Sequence, residues 1–200
     1  VFNWAQSREL LSRNDVALFR WKRPKDAKVL EPEEYSGVEY QKLLAVASPQ
    51  DARTWRVHVA LVLAGVHGQR AKSVLHLRWS DVSDTEITWP GEYMKQGDDH
   101  AQPLTWDAVA ALETARYWTR ARTGRDFSRQ SARQRDARTR LSASPWVLPG
   151  HGDPAKPWGY QAMWKQIRAL EVKAGVPHKL YRAWHGLRKM VAGNVSDGSG

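Results

Sequence analysis

His67-Gly-Gln-Arg-Ala-Lys-Ser-Val-Leu-His-Leu-Arg-Trp-Ser-Asp-Val82 is the stretch on which the reading of this chain turns. Gly68 closes an apolar helix, and Arg70 stands just beyond it. A second short helical piece, Val74-Leu75-His76-Leu77, then runs into Arg78-Trp79-Ser80-Asp81. An arginine on the turn between two helices is well placed to meet an anion. Its planar fork bonds two phosphate oxygens at once and stays charged at any working pH. The plainer alternative is a solvated arginine beside a helix-capping glycine, as most surface arginines are.

Upstream, Val57 to Val66 is apolar but broken by His58 and Gly65. It falls short of the roughly 18 residues a membrane span needs and reads as a central buried helix. Ser48-Pro49-Gln50-Asp51 is expected to start it, with serine as cap, proline in the first helical position and an acid three residues after the cap. Leu30-Glu-Pro-Glu-Glu34 is expected to start the helix before, since proline and acids suit a first turn.

Downstream, Glu86-Ile-Thr-Trp-Pro90 and Ala101-Gln-Pro-Leu104 read as short strands. The turn-rich Met94 to His100 between them makes a β-hairpin, open to a third strand. Thr105 caps a helix from Trp106 to about Thr123, with Val109, Leu112 and Tyr117 or Ala115 inward. Trp146-Val-Leu-Pro149 is a short buried strand or turn. Trp158 to about Ala174 is amphipathic through Met163, Ile167 and Leu170, and Gly175 ends it. The fold class is mainly α with a small antiparallel β-sheet, an α+β arrangement.

The chain has 200 residues, 42% of them hydrophobic, and 11 tryptophans, which is enough to build a core. Its formal charge of +10 points to a polyanionic partner, with nucleic acid first in line. Cysteine is absent, so disulfides and thiolate metal sites are excluded and an intracellular setting is favoured. No secretory signal opens the chain and no membrane association is expected. His58, His67 and His76 lie nine apart, which is not ligand spacing on one helix face, so no metal is expected. Neither a Walker-type phosphate loop nor a serine nucleophile elbow is present, and no cofactor is expected.

Gly68-Gln69-Arg70 followed by Leu77-Arg78-Trp79-Ser80-Asp81-Val82 resembles the first arginine box of the tyrosine recombinases, the phage-integrase family. Two further pieces resemble the same family in the same order. Lys95-x-Gly97-x-x-His100-x-x-Pro103-Leu104 is similar to its β-hairpin with a catalytic lysine, and His185-Gly186-Leu187-Arg188 to its His-x-Leu-Arg box. The resemblance implies that Arg70, Lys95, His185 and Arg188 surround one scissile phosphate. The two arginines would clamp its oxygens, His185 would assist proton transfer, and Lys95 would reach into the minor groove and protonate the leaving 5′ oxygen. On helical spacing alone, His185 and Arg188 share one face. His100 is expected to pack or to bond backbone. One residue departs from the pattern: an acid is usual three positions after the arginine, and Ser73 stands there.

The family pattern also implies the layout. Residues 1–20, with their Phe2-Asn-Trp-Ala5 run, resemble the end of a core-binding domain, 21–29 a basic linker, and 30–200 the catalytic domain. The chain opens without a helix cap before Val1, so it is expected to be part of something longer. From Arg116 to Arg140 there are nine arginines, no lysine and two acids. About 125–144 reads as a basic insertion, either an arm on DNA phosphates or a solvated loop. Lys22, Arg23, Arg125, Arg129 and Arg133 are the candidate DNA-binding cations.

Family enzymes attack the phosphate with a tyrosine beyond the His-x-x-Arg box, giving a 3′-phosphotyrosine link. None of Tyr35, Tyr40, Tyr93, Tyr117, Tyr160 and Tyr181 follows Arg188, so this polypeptide alone is expected not to cleave DNA covalently. The resemblance implies site-specific recombination or integration of a mobile element, with double-stranded DNA and other copies of the protein as partners. The family acts as a tetramer on DNA, and the setting implied is the bacterial or phage-infected cytoplasm, at the nucleoid. The alternatives are a DNA-binding module that keeps the fold without the chemistry, and a basic RNA-binding protein.

Overall fold

The computed structural model describes residues 34–94, 97–120, 144–178, 184–188 and 190–191. The chain divides into two compact units, Val1–Glu31 and Pro32–Gly200, and every described residue belongs to the second. The expected N-terminal helix, the linker with Lys22 and Arg23, and Arg125, Arg129 and Arg133 all lie outside the described residues.

Helix α1 (Gly37–Val46) starts from a capping box: Ser36 Oγ accepts from the Glu39 amide at 3.2 Å, and Glu39 Oε2 accepts from the Ser36 amide at 2.9 Å. Of the expected start at Leu30–Glu34, residues 30–33 lie outside the described residues, and Glu34, Tyr35 and Ser36 are not helical. Helix α2 (Trp55–His67) likewise begins later than Ser48-Pro49 suggested. Ser48 closes a turn instead, accepting from the Gln50 amide at 3.3 Å and, through its carbonyl, from Thr54 Oγ1 at 2.9 Å.

Helix α2 is the axis of the core. Val57, Val59, Ala60, Leu61 and Leu63 are all fully buried, each worth about 1.5–3 kcal/mol if an aliphatic side chain of Val or Leu size. Gly65 leaves room for the Tyr40 ring, whose hydroxyl donates to the Leu61 carbonyl at 3.2 Å. Burial and the nearby Asp107 push the Tyr40 hydroxyl up to about 12, so it keeps its proton. Gly68 ends α2 at φ +60°, a left-handed turn that glycine takes without strain, and its amide bonds the Ala64 carbonyl at 2.9 Å.

Helix α3 (Ala71–Leu75) follows at once, then a short 3-10 turn, Trp79–Asp81. Strands β1 (Glu86–Trp89) and β2 (His100–Pro103) pair antiparallel, with Glu86 opposite Pro103 and Trp89 opposite His100. The third strand is reduced to a single bridge between Val82 and Ile87. Ile87 and Trp89 face the core, whereas His100 is exposed rather than packed.

Helix α4 (Trp106–Thr119), capped by Thr105 Oγ1 on the Ala108 amide at 3.3 Å, lies along α2 and buries Leu112 and Ala115 while Tyr117 stays exposed. Trp146 to Leu148 is buried and bridges back to Arg78. Helix α5 (Tyr160–Ala174) buries Met163, Ile167 and Leu170 and ends at Gly175, φ +63°. Residues 184–188 form a last helical stretch.

Candidate functional site

Three separated parts of the chain meet at Gln69, which is buried beside the Gly68 turn. Its carbonyl accepts from Trp184 Nε1 at 2.8 Å. Its side-chain Nε2 donates to Gln102 Oε1 at 3.0 Å, and the same oxygen accepts from Trp89 Nε1 at 2.8 Å. A Cβ placed on Gly68 would lie 3.3 Å from Val191 Cγ1, so the chain after Arg188 also packs on this turn. The α2–α3 turn, the hairpin and the 184–188 helix are thus joined through one buried and two partly buried hydrogen bonds, which are costly to leave unmade. His67 meets the edge of Trp89 at 5.6 Å between centroids. Burial lowers the His67 pKa, against a smaller opposing effect of the Gln102 side chain, so its ring is neutral at pH 7.

This junction brings two of the motifs read from the sequence side by side. Arg70 is the next residue after Gln69, and His185 the next after Trp184. Gly186 and Leu187 are buried, while His185 and Arg188 are exposed, so the last helix turns both of these side chains outward. Arg70 is half-buried and occupies the N-cap position of α3 without a side-chain capping bond. Among the described residues, none pairs with the Arg70, His185 or Arg188 side chain by hydrogen bond or ion pair. An arginine with no internal partner can take up an anion without first breaking an internal bond.

Lys95 and Gln96 lie outside the described residues, but Met94 before them and Gly97 after them do not. Tyr93 is held by Lys72, whose Nζ sits 5.1 Å from the ring centroid, and by His76, whose ring is 4.6 Å away. Ser73 is fully buried and its hydroxyl donates to the Tyr93 carbonyl at 3.3 Å. Further along, the Gly91 amide donates to Asp99 Oδ1 at 2.7 Å, and Gly91 lies against the Gly97 backbone with no room for a Cβ.

A second charged cluster had no signature in the sequence. Glu171 is 1% exposed, and its carboxylate accepts from the Tyr35 hydroxyl at 2.5 Å and from Arg168 Nη1 at 2.7 Å. Arg168 Nη1 also lies 2.7 Å from His178 Nδ1. The same Nδ1 lies 3.3 Å from Glu171 Oε2. Tyr35 and Glu171 stand 136 residues apart, and only the fold joins them. Arg56 is likewise structural: it is buried, its Nε donates to the Pro149 carbonyl at 2.9 Å, and burial lowers its pKa to about 10, so it stays charged at pH 7.

No three histidine or carboxylate side chains group as metal ligands among the described residues. No helix among them is long and apolar enough to cross a membrane.

The family model of the phage integrases matches residues 35–197. None of the curated proteins matches the sequence. Among solved structures, the chain is similar to a lambda integrase tetramer bound to a Holliday junction, with a TM-score of 0.62 and 17% identity over 99% of this chain and 49% of that one. It is similar to XerA recombinase, with a TM-score of 0.60 and 18% identity over 100% of this chain and 67% of that one. It is also similar to XerH recombinase bound to its difH substrate before cleavage, with a TM-score of 0.58 and 15% identity over 86% of this chain and 46% of that one. At such identities the likeness is one of fold. The chain spans about half the length of the lambda integrase in that tetramer.

Proposed function

The chain belongs to the phage integrase family, and from that premise we propose that it is the phosphate-activating part of an enzyme that recombines DNA at specific sites. The observation that carries the reading is the bond from Trp184 Nε1 to the Gln69 carbonyl, 2.8 Å long. It sets Arg70 and His185 each one residue from a common point, with Arg188 on the same helix as His185.

In this reading the guanidinium groups of Arg70 and Arg188 hold the non-bridging oxygens of one backbone phosphate. They offset the charge that builds in the five-coordinate transition state. His185 donates to the phosphate or moves a proton beside it. Lys95 gives its proton to the 5′ oxygen as the bond to phosphorus breaks. A tyrosine hydroxyl supplies the nucleophile, and the phosphotyrosine link keeps the bond energy for rejoining.

Two of the six tyrosines are committed elsewhere, Tyr35 to buried Glu171 and Tyr40 to the Leu61 carbonyl, and we assign the nucleophile to none of the six. Lys22, Arg23 and the arginines of the 125–144 segment would follow the flanking DNA backbone. Double-stranded DNA and further copies of the same protein are the partners, since strand exchange between two duplexes needs four active sites. The place of action is where the chromosome lies, in the cytoplasm of a bacterial or phage-infected cell.

The test is a nicked duplex that traps the covalent intermediate, given to the complete gene product that contains this chain. A detergent-stable adduct that vanishes in Arg70→Ala and Arg188→Ala supports the reading. Salt-sensitive duplex binding with no adduct in the unaltered protein would instead favour a DNA-binding module without chemistry.

A further inference from the structure

The departure from the family pattern in the first arginine box, a serine where an acid is usual, has a partner in the structure. Ser73 is 0% exposed, so its hydroxyl must find an acceptor inside the protein. That acceptor is the Tyr93 carbonyl, 3.3 Å away, with Met94 Sδ at 3.7 Å. An ionised carboxylate in the same place can only accept, and it would face a carbonyl oxygen with no proton to offer.

The rest of the surroundings hold the same short segment. Lys72 lies over the Tyr93 ring at 5.1 Å and His76 stacks on it at 4.6 Å. His76 is itself fixed, because Nδ1 donates to the Lys72 carbonyl at 2.9 Å and its ring meets Trp146 edge-on at 5.9 Å. The Tyr93 amide bonds the Pro90 carbonyl at 3.1 Å and the Met94 amide bonds the Gly91 carbonyl at 2.8 Å. Helix α3, which begins directly after Arg70, is therefore a mount for Tyr93-Met94, and the next residue along is Lys95.

We propose that Ser73 is a positioning residue: by donating to the Tyr93 carbonyl it seats Tyr93-Met94, the backbone directly before Lys95, on which the general acid depends. The inference rests on the reading of Lys95 as the acid. It assigns to this position a task different from supporting the Arg70 guanidinium. A residue that acts through Lys95 matters only while the leaving group needs a proton. With oxygen at the 5′ bridging position, the departing alkoxide takes the Lys95 proton and leaves a neutral amine. With sulfur there, the bond to phosphorus breaks to give a thiolate that is stable without one.

The experiment compares cleavage of nicked duplexes carrying 5′ oxygen or 5′ sulfur at the scissile position by the complete gene product. Ser73→Ala is expected to slow cleavage about tenfold or more on oxygen, a part of the roughly 10²–10⁴ a general acid supplies, and to come within about twofold of the unaltered protein on sulfur. Arg70→Ala is expected to stay slow on both. Ser73→Asp separates the two roles by sign: it lowers the oxygen rate if Ser73 seats the segment and raises it if the position serves Arg70. Equal slowing of Ser73→Ala on both substrates, no slowing at all, or faster cleavage by Ser73→Asp overturns the proposal.

A second measurement does not depend on recombination. In the 200-residue chain, Ser73→Ala is expected to change severalfold the rate at which an amine-reactive ester labels Lys95, with exposed Lys156 as the internal standard. An unchanged rate sinks the seating role. If the unaltered protein cleaves neither substrate, the recombinase reading fails by itself, and the labelling still decides whether Ser73 holds the segment.

Discussion

Around Glu171, Arg168 Nη1 and the Tyr35 hydroxyl donate to one buried carboxylate, and His178 Nδ1 lies against both Arg168 Nη1 and Glu171 Oε2. Around the Gln69–Trp184 bond, Arg70, His185 and Arg188 stand beside the same joint with no partner among the described residues. The first cluster has the burial and the short distances often looked for in an active site. It is a poor candidate, because each of its charges is already answered from within the protein. A buried carboxylate repays its desolvation only when it is paired and hydrogen-bonded, as Glu171 is by Arg168 Nη1 and Tyr35, even though Arg168 Nε has no partner among the described residues. At the second, the described residues supply the Arg70 and Arg188 side chains with no partner, while the Trp184–Gln69 bond fixes the backbone beside them. Pairing, rather than depth, separates the strut from the site.

The contrast can be broken most forcefully at the strut. Glu171→Ala strands Arg168 beside an empty space and is expected to cost about 3–5 kcal/mol of stability, read by denaturant unfolding. DNA affinity per folded molecule should not change. A loss of affinity with stability kept would mean that the strut belongs to the site.

The reverse pattern is expected at the junction. Arg70→Ala should leave unfolding within about 0.5 kcal/mol of the parent. It should lower covalent cleavage by the complete gene product about 10²–10³-fold, equivalent to roughly 2.7–4 kcal/mol of transition-state stabilisation. Arg70→Lys should restore little, since a point charge does not reproduce the two-pronged fork. Comparable loss of stability in Arg70→Ala would place the residue with the strut.

Trp184→Phe tests the joint itself. It keeps a ring but removes the indole N–H, leaving the Gln69 carbonyl without its 2.8 Å donor. A destabilisation of about 1–3 kcal/mol is expected. The fall in cleavage rate should exceed what the unfolded fraction explains, because Arg70 and His185 are no longer held to one point.

The smallest effect is on pH. His67 is buried beside the junction and its pKa is lowered from 6.5 by that burial. Its folded form therefore binds fewer protons than the unfolded chain at mildly acid pH. Its contribution to stability is complete above about 6.5 and is lost as pH falls below that value towards the folded-state pKa. The slope is at most about 1.4 kcal/mol per pH unit. His67→Gln should flatten the pH dependence of unfolding without abolishing it, because His58 is shifted in the same direction.

The local signals were legible where one residue type has one conformational use. Gly68 and Gly175 close their helices in the left-handed region that glycine alone takes freely. The hairpin, the capping of α4 by Thr105 and the buried Trp146 segment were readable for similar reasons. Serine was ambiguous: at Ser36 it caps a helix, and at Ser48 it closes a turn, because its short side chain satisfies either backbone. The third strand was overcounted, since the pattern around Val82 supports one bridge and the chain turns away as a 3-10 turn. Arg70 and the pair at 185 and 188 could be picked out singly from the sequence. The bond that sets them side by side could not, because it links an indole to a main-chain oxygen 115 residues away, and no spacing encodes that.

The use of a main-chain oxygen at position 69 has a consequence for variation. Every amino acid carries that carbonyl, so no substitution at 69 can delete the acceptor that Trp184 uses. The tie to Gln102 runs through the side chain and disappears with it. One residue thus carries a permanent link to the last helix and an optional one to the hairpin. Exchanging the amide at 69 therefore removes the tie to the hairpin, while the acceptor that Trp184 uses stays where it is.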